Sequence, residues 1–488
     1  MSKSPLLKKT GSFLKNNVVT VMILVLSAVL FLASGMHFGM VANQVAERFA
    51  RNTCLVLALI IPCLAGLGMN FGIVAGAMAA QISVFFCVHY GVTGISGFII
   101  CAAVATPLAI LLGYLLGLIF NKTKGAEMIA GLVFGFFADG VYRLFVLYII
   151  GGVIPYDDPN LLDRGFGLRN TFDLGGNIGG TIDSLNFFVV AKVILVILIV
   201  ATVVNILTNL KSKAVPLYKN LIKLAGYAVG LVLTFVLPSV EYFNKLLGGK
   251  RLKLNDAAFL FGIVLAVVFL VKLVVELIRT KKLNVKTLVF FGVSVLAFVL
   301  TFIPPIEKMM KMVNITPASY GIIVLFCFLN NWLFSTKLGQ DMRTVGQSRA
   351  VATSAGINVN KTRIIATCIS TVLAAWGQLI FLQNLGTFNT VKQQTNVGLY
   401  AVAAILVGGA NVKKATNKQA IIGVLLFHTL FVVTPDAAKN LFGDPAVGEY
   451  IRMFVSYGVI AVALAMHVYQ TVNKGKAKKN KGEEVGVI

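Results

Sequence analysis

Long apolar runs recur along this chain and restrict it to one class of fold. From about residue 18 to about residue 470, stretches of about 17–24 residues with few charges follow one another, and this length spans a bilayer as a helix. The composition agrees, because 58% of the 488 residues are hydrophobic and 12% are charged. A transmembrane β-barrel would show alternating segments of about ten residues, which the sequence lacks. The sequence therefore predicts an all-α polytopic membrane protein, a bundle of about 11–14 transmembrane segments that include short or re-entrant helices.

Glycine, proline and charged residues separate the predicted membrane segments. The segments lie near residues 18–36, 54–69, 71–90, 97–120, 126–151, 185–208, 222–238, 256–278, 287–303, 318–336, 361–383, 397–410, 419–434 and 449–470. Two of them, 54–69 and 397–410, are short for a full span. We expect these two to be re-entrant or broken helices.

The net charge of +25 comes from Lys and Arg in short loops between apolar runs. The positive-inside rule explains this distribution better than nucleic-acid binding does, and it places both termini in the cytoplasm. The loops 152–184 and 435–448 are then outside. One loop disagrees with the rule, because 239–255 is placed outside although it contains Lys245, Lys250, Arg251 and Lys253.

No catalytic, metal-binding or nucleotide-binding motif is visible in the sequence. The stretch GGKR at 248–251 does not complete a GxxxxGK[ST] phosphate loop. The four His are scattered, the six Cys have no CxxC or metal-ligand spacing, and no Ser/His/Asp or Cys/His arrangement is present. We therefore expect a chain that is not an enzyme and that binds no cofactor or metal itself.

Glycine and amide residues interrupt two apolar segments in different halves of the chain. They are Gly68, Asn70, Gly72 and Gln81 in CLAGLGMNFGIVAGAMAAQ (63–81), and Gln383, Asn384 and Asn389 in LQNLGTFNTVKQQTNVGLYAVAAILVGGA (382–410). Small residues let helices pack closely, whereas a broken helix exposes backbone groups that can line a solute path. Both interpretations are open, and the second predicts an internal repeat with the path between the two breaks.

Asp139 and Arg143 are ionisable residues within the apolar segment GFFADGVYRLF (135–145). Such residues are costly in a membrane and often have a function. Their i,i+4 spacing lets them neutralise each other on one helical face. They form either a structural pair or the proton relay of an ion-coupled secondary transporter.

A polar stretch, GQDMRTVGQSRAVATSAGINVNKTR (339–363), separates two strongly apolar segments in the second half of the chain. We expect Gly339, Gly346 and Gly356 to break helices. Between two of them, the segment 347–355 is predicted to form a short helix on the membrane surface. An ordinary basic cytoplasmic loop is the alternative.

The region that contains this stretch resembles a known family. The sequence KLGQDMRTVGQSRAVATSAGINVNKTRIIATCISTVLAAWGQLIFLQNLGTF (337–388) is similar to the region around the cytoplasmic coupling loop in permease subunits of bacterial ABC importers of the branched-chain amino acid, ribose and nucleoside type. The residues that match the family pattern are Leu338, Gly339, Val345, Gly346, Ala350, Ala355, Gly356, Ile357, Asn358, Val359, Asn360 and Lys361. AAILVGGANV (403–412) and 54–151 also resemble parts of this family.

The resemblance implies a permease subunit in the bacterial cytoplasmic (inner) membrane that imports a small neutral polar solute, a nucleoside or a monosaccharide. Its partners would be a second, identical or related permease subunit, an extracytoplasmic solute-binding protein and a cytoplasmic ABC ATPase that binds ATP and Mg²⁺. The ATPase would dock on the surface helix around 346–358. The expected coupling residues are Gly346, Gln347, Arg349, Ala350, Ala355, Gly356, Ile357 and Asn358.

The resemblance also divides the chain into regions. They are the N-terminus with the first transmembrane helix and an extracytoplasmic connector (1–53), the N-terminal half of the permease core (54–208), inserted transmembrane helices (209–317), the C-terminal half of the core (318–470) with the coupling loop 337–363, and a basic cytoplasmic tail (471–488). Two features depart from the family, because the insertion has no recognised counterpart and Arg349 stands where many members have an acidic or small residue.

Overall fold

A computed structural model describes residues 18–123, 125–155, 162, 167–209, 217–280, 284–411 and 414–479. The predicted helical class is confirmed. The helices of the first half are α1 (Val18–Ser34), α2 (Phe38–Ala58), α3 (Ile60–Leu64), α4 (Val74–His89), α5 (Gly94–Lys122), α6 (Glu127–Leu144), α7 (Phe187–Asn209) and α8 (Leu217–Val236). The later helices are α9 (Glu241–Leu247), α10 (Leu254–Thr280), α11 (Val285–Leu300), α12 (Pro304–Met312), α13 (Pro317–Ser335), α14 (Lys337–Gln347), α15 (Arg349–Ser354), α16 (Val359–Leu385), α17 (Gln393–Val407), α18 (Asn417–Phe442) and α19 (Pro445–Lys479).

Short strands connect some of these helices. They are β1 (Thr171–Asp173), β2 (Leu252–Lys253), β3 (Asn314–Ile315) and β4 (Thr387–Asn389). β1 pairs antiparallel with β4, with Phe172 opposite Phe388. β2 pairs antiparallel with β3, with Leu252 opposite Ile315. Both sheets have two strands.

Within the described ranges, nine helical stretches are long and apolar enough to cross a membrane, or ten if the bent pair α11 and α12 counts as one span. α1 is a shorter apolar helix. Large apolar side chains remain exposed along α10 and α11, for example Val267, Val271 and Phe290. Exposed apolar faces of this kind suit contact with lipid. The chain is therefore a multi-pass membrane protein.

The chain divides into two compact units. Unit 1 consists of Met1–Met36, Arg48–Thr181 and Ile323–Ile488. In unit 1, α16 packs against α4 and α5, and α18 packs against α1, α17 and α19. Glycines make the closest of these contacts: a Cβ at Gly113 of α5 would lie 2.9 Å from the Cα of Cys368, and one at Gly423 of α18 would lie 1.9 Å from the carbonyl oxygen of Ala404. These helices approach each other at backbone distance.

Unit 2 consists of His37–Glu47 and Ile182–Ile322. In it, α7 packs against α8, and α10 packs against α11. A small apolar core joins one end of α7, α9, β2 and α10 through Phe188, Leu247, Leu252 and Ala257. The loop 239–255, which disagreed with the charge rule, is thus a folded segment rather than an extended loop. The predicted regional boundaries at 209 and 317 remain predictions.

One difference from the sequence analysis concerns the predicted connector that ends at residue 53. The structure begins α2 at Phe38, so most of this connector is helical. The polar residues of α2, such as Asn43, Glu47 and Arg48, interrupt the apolar run and hide the helix from a hydropathy criterion. Arg48 stacks on the ring of Phe431 in unit 1 at 4.6 Å. The predicted N-terminal cytoplasmic residues 1–17 and the end of the basic tail, 480–488, lie outside the described residues.

Candidate functional site

The polar stretch that was predicted to be a loop with one short helix contains two helices, α14 and α15, directly before α16. Side chains cap all three: Thr336 accepts a hydrogen bond from the Gly339 amide (3.3 Å), Ser348 from the Val351 amide (3.4 Å) and Asn358 from the Lys361 amide (3.0 Å). Such caps satisfy amides that have no partner inside the helix. Two helix starts, those of α15 and α16, lie within this stretch, and the start of α14 lies just before it; their capping groups contribute to its polarity.

The glycines of this stretch have two different roles. Gly356 has φ +76° and ends α15, where the amides of Gly356 and Ile357 bond back to the carbonyls of Thr353 (3.0 Å) and Ala352 (2.9 Å). This is a Schellman motif. The prediction that Gly339 and Gly346 break helices is wrong, since both lie inside α14.

Close backbone contacts explain Gly339 and Gly346. A Cβ at Gly346 would lie 2.1 Å from the carbonyl oxygen of Leu64, and a Cβ at Gly339 would lie 2.1 Å from that of Leu333. α14 therefore rests directly on the backbone at the end of α3. No side chain fits between them.

α15 presents small side chains to the outside. Of the predicted coupling residues, Gln347, Ala350, Ala355, Gly356 and Asn358 are exposed, while Gly346, Arg349 and Ile357 are half-buried. Val351, which was not predicted, is 59% exposed. Small and apolar residues on an exposed helix form a flat surface that another protein can cover. That they contact an ATPase stays a prediction.

Arg349 does not simply point outward. Its Nη2 donates to Oε1 of Glu127 at the start of α6, and Nη2 of Arg363 in α16 donates to the same oxygen at 2.5 Å. The Arg363 side chain is fully buried, and that of Glu127 is 8% exposed. The Gly125 amide donates to the other oxygen, Oε2, at 3.0 Å. These contacts fasten α15 to α6 and α16.

Glu127 and Arg363 are not among the site residues predicted from the sequence. Each is an ionisable residue at the edge of an apolar segment, where it looks like an ordinary flanking charge. A carboxylate 222 and 236 residues away from its two partners has no local signal. The burial of Arg363 could be recognised only from the structure.

A cavity of about 460 Å³ adjoins α14 at the same end of unit 1. Its lining includes the cationic Arg343 and Lys414, Gly346 and Gln347, and the start of α18 at Asn417. Arg343 also stacks on the ring of Phe334 at 5.4 Å. The lining gives this end of the unit a concave, positively charged surface next to α15.

The first glycine-rich break lies between α3 and α4. Gly66 and Gly68 have φ +71° and +74°, conformations that glycine adopts without strain. Asn70 is 1% exposed, and neither its Oδ1 nor its Nδ2 finds a hydrogen-bond partner within the described part of the chain. A Cβ at Gly72 would lie 2.4 Å from Cδ2 of Leu116 in α5. The predicted break is therefore present, and it holds a buried amide group without a hydrogen-bond partner among the described residues.

The second break separates α16 from α17 and contains β4. Gly386 and Lys392 have φ +72° and +70°. Gln383 is buried and Asn384 half-buried near the end of α16. The Gln383 carbonyl accepts a hydrogen bond from the Gly180 amide (2.7 Å), so the turn is held by backbone.

Gln81 and Asn389, predicted from different halves of the chain, come together in the structure. Nε2 of Gln81 donates to Oε1 of Gln393 (3.2 Å) and lies 3.5 Å from the Asn389 carbonyl oxygen. The backbone amide of Asn389 donates to the same Gln393 oxygen, Oε1, at 3.0 Å. Gln393, in the first turn of α17, was not predicted.

Gly68, Asn70 and Gly72 do not join this cluster. Val74 and Gln81 are separated by seven residues of α4, about 10 Å along a helix, and the first break lies before Val74. The two breaks are connected along α4 and α17, since a Cβ at Gly398 would lie 2.7 Å from Cγ2 of Val74. The polar groups therefore lie at two positions along the packed helices α4 and α17. Together, Asn70, Gln81, Asn389, Gln393 and Gln394 are called the polar layer.

The i,i+4 pairing of Asp139 with Arg143 is confirmed, with Oδ2 and Nη2 2.7 Å apart. Gln394 of α17 adds a bond from its Nε2 to Oδ1 of Asp139 at 2.6 Å. Both carboxylate oxygens are thus engaged, which favours the structural interpretation of the pair. Asn330 likewise bonds other helices, through Nδ2 to the Leu57 carbonyl oxygen and to Oδ1 of Asn417, both at 3.2 Å.

Within the described ranges, no group of three or more His, Cys, Asp or Glu side chains is placed to hold a metal ion.

Comparisons with known proteins agree on one family. The family described as "Branched-chain amino acid transport system / permease component" matches residues 215–464, just over half of the chain. This match includes most of the segment for which the sequence analysis recognised no counterpart. No solved structure matches the chain.

Curated relatives include sugar importers. The autoinducer 2 import system permease protein LsrC of Klebsiella pneumoniae is 30% identical over 33% of this chain and 50% of its own length. The ribose import permease protein RbsC of Escherichia coli K12 is 32% identical over 28% of this chain and 41% of its own length. The xylose transport system permease protein XylH of Haemophilus influenzae is 29% identical over 32% and 38%.

The match to this chain thus covers half or less of each of these relatives. The family match covers Asn389, Gln393 and Gln394 and the whole of α14 and α15, whereas Asn70, Gln81 and Asp139 lie outside it. The chain belongs to the family of permease components that includes those of branched-chain amino acid transport systems.

Proposed function

We propose that this chain is the permease subunit of an ABC importer that moves a small neutral polar solute of the monosaccharide class across the bacterial cytoplasmic membrane. One observation carries the proposal: in a chain of this permease family, the capped helix α15 exposes a surface of small residues at one end of the membrane-spanning unit. Relatives named for autoinducer 2, ribose, xylose and fructose support a sugar-like solute. None of these names indicates a nucleoside, the other solute class expected from the sequence.

The energy source would be a separate cytoplasmic ATPase, which binds ATP and Mg²⁺ and docks on α15. Gln347, Ala350, Ala355, Gly356 and Asn358 supply the exposed part of that surface. Closure of the ATPase would displace α15 and change the access of the solute path from one side to the other.

The solute path would follow the polar layer of unit 1. Asn70 at the first break and the cluster of Gln81, Gln393 and Asn389 at the second offer uncharged donors and acceptors. The charge of Asp139 is balanced by Arg143. Uncharged amides suit the hydroxyl groups of a neutral sugar.

Further partners would complete the importer. An extracytoplasmic binding protein would deliver the solute, and a second permease subunit would share the path. An apolar groove of about 620 Å³ between α5, α13 and α16, lined by Trp332 and Trp376 among others, supports a membrane-embedded partner. Both termini would lie in the cytoplasm.

Uptake in membrane vesicles tests the proposal against the alternative, an ion-coupled secondary transporter that uses Asp139 and Arg143. With ATP held constant inside the vesicles, an uncoupler should leave sugar uptake unchanged. Abolition of uptake by the uncoupler would support the alternative instead.

A further inference from the structure

The ion pairs around Glu127 join three helices at the α15 end of unit 1. Arg349 begins α15, Glu127 lies in the first turn of α6, and Arg363 lies in the second turn of α16. Both arginines donate to one carboxylate oxygen, which leaves the other oxygen to the Gly125 amide. α15 is only six residues long and mostly exposed. Within the described residues, the Arg349–Glu127 contact is its main polar attachment to the unit.

Burial makes this attachment stiff. The Arg363 side chain has no exposed area, and its Nε and Nη1 find no hydrogen-bond partner within the described residues. A buried guanidinium needs its counter-charge, and a carboxylate held by two arginines and an amide has little freedom. Glu127 also lies at the N-terminal, positive end of the α6 dipole, which attracts its negative charge.

α6 connects this contact to the polar layer. Asp139 lies twelve residues after Glu127 on the same helix, about 18 Å further along its axis. There Asp139 accepts the hydrogen bond from Gln394 at 2.6 Å. The preceding residue, Gln393, holds Gln81 and Asn389. A displacement of α15 that pulls on Glu127 therefore reaches the start of α17 through one helix.

We infer that Arg349, Glu127 and Arg363 form a clamp that ties α15 to α6 and α16, and that Arg349 is a positioning residue which transmits movement of α15 to the polar layer. The inference rests on the proposed function and deepens it. Arg349 then acts inward, on Glu127, and its contribution to ATPase docking is minor. This accounts for an arginine at a position where an acidic or small residue is common in the family.

The test uses the full chain, purified with its ATPase and reconstituted in proteoliposomes. Arg349→Gln removes the charge from a side chain that is 37% exposed, so the fold should tolerate it. We expect ATPase co-purification and ATP hydrolysis to stay within about twofold of the unaltered complex, whereas solute uptake per ATP falls at least about fivefold. Arg349→Lys should restore part of the uptake.

A double variant and a matched control sharpen the test. Glu127→Gln leaves the buried Arg363 without its counter-charge and should lower Tm as well as the uptake per ATP. At a temperature where Glu127→Gln is folded, adding Arg349→Gln to it should lower the uptake per ATP no further. Lys122→Gln removes an exposed positive charge at the end of α5, close in sequence to Glu127, and should change nothing.

Each other outcome overturns the clamp. Loss of ATPase co-purification in Arg349→Gln would identify Arg349 as an ATPase contact. An unchanged ratio of uptake to hydrolysis, or equal losses in Lys122→Gln, would show that the ion pairs do not transmit movement. Failure of the unaltered complex to take up any solute with ATP would instead refute the proposed function, and so the two failures are distinguishable.

Discussion

Single residues set the close contacts of this protein, and Gly346 shows how. The helix α14 can rest on the backbone at Leu64 because position 346 has no side chain. From the sequence, this glycine was predicted to break a helix, because glycine often marks turns and helix ends. A glycine that allows distant segments to approach closely looks the same in the sequence as a glycine that ends a helix. No local pattern distinguishes the two.

Gly346→Ala should destabilise the protein. The added methyl group would overlap the Leu64 carbonyl oxygen, which is 2.1 Å away and cannot move without its helix. We expect a loss of about 1–3 kcal/mol in the free energy of unfolding, seen as a lower Tm in detergent. Gly140→Ala is the control, because no atom lies within 4 Å of its Cβ position in α6. An unaltered Tm in Gly346→Ala would refute the close contact.

Asn70 is the second residue whose role follows from its surroundings. It is buried, and its amide group makes no hydrogen bond within the described residues. An unsatisfied buried amide costs about 1–3 kcal/mol. A solute or water that bonds to it while passing would recover part of this cost.

Asn70→Leu separates the two interpretations of the first break, packing and solute path. Leucine has the same number and branching of side-chain heavy atoms and no polar atoms, so removing the unsatisfied amide should leave Tm unchanged or raise it. If Asn70 lines the path, the uptake rate should fall roughly 3- to 10-fold, the loss of one or two hydrogen bonds to the solute. Normal uptake with a raised Tm would leave Asn70 as a packing residue.

At the scale of elements, the apolar helices and the short helix α15 could be predicted from the sequence, whereas other polar helical segments could not. Segments such as 71–90 and 361–383 agree with the structure to within a few residues. α14 and the first half of α2 were missed because their residues are polar. Within unit 1, α14 contacts the backbone at Leu64, and Arg48 of α2 stacks on Phe431.

The two breaks also show what the sequence can tell about the candidate site. Glycine and amide residues predicted both breaks, and the structure has them. The pairing of Gln81 with Gln393, 312 residues apart, could not be foreseen. The sequence also contained no sign that Gln81 and Asn70 are separated by most of the first half of α4. Residues of one motif need not lie at the same depth in a helix bundle.

α15 makes its own prediction as an element. Val351 is the large apolar side chain of this helix and is 59% exposed, so Val351→Glu would place an unpaired charge in the ATPase interface. We expect the fraction of ATPase that co-purifies to fall at least about tenfold, because an unpaired buried charge costs more than about 1.4 kcal/mol. Insertion into the membrane should be unaffected.

Val351→Thr is the matched control for this prediction, since it preserves the shape of the side chain and adds no charge. It should retain most of the ATPase. If Val351→Glu retains the ATPase equally well, α15 is not the docking surface.

The whole molecule divides into two units. Unit 1 contains the polar layer, the clamp and α15, and the described helices of both units, such as α5 in unit 1 and α10 in unit 2, expose large apolar side chains. Composition alone predicted a membrane protein, because the hydrophobic fraction exceeds what soluble chains tolerate. The docking role proposed for α15 rests on the family to which the chain belongs, because an exposed helix does not by itself indicate a function.

The central claim is that an ATPase bound at α15 drives a sugar through unit 1. The most direct measurement is the accumulation of labelled monosaccharides in proteoliposomes that contain the purified chain, its binding protein and the ATPase. The account predicts accumulation against a concentration gradient when ATP is present, and none when either ATP or the ATPase is left out. Accumulation without the ATPase, driven by an ion gradient, would contradict it.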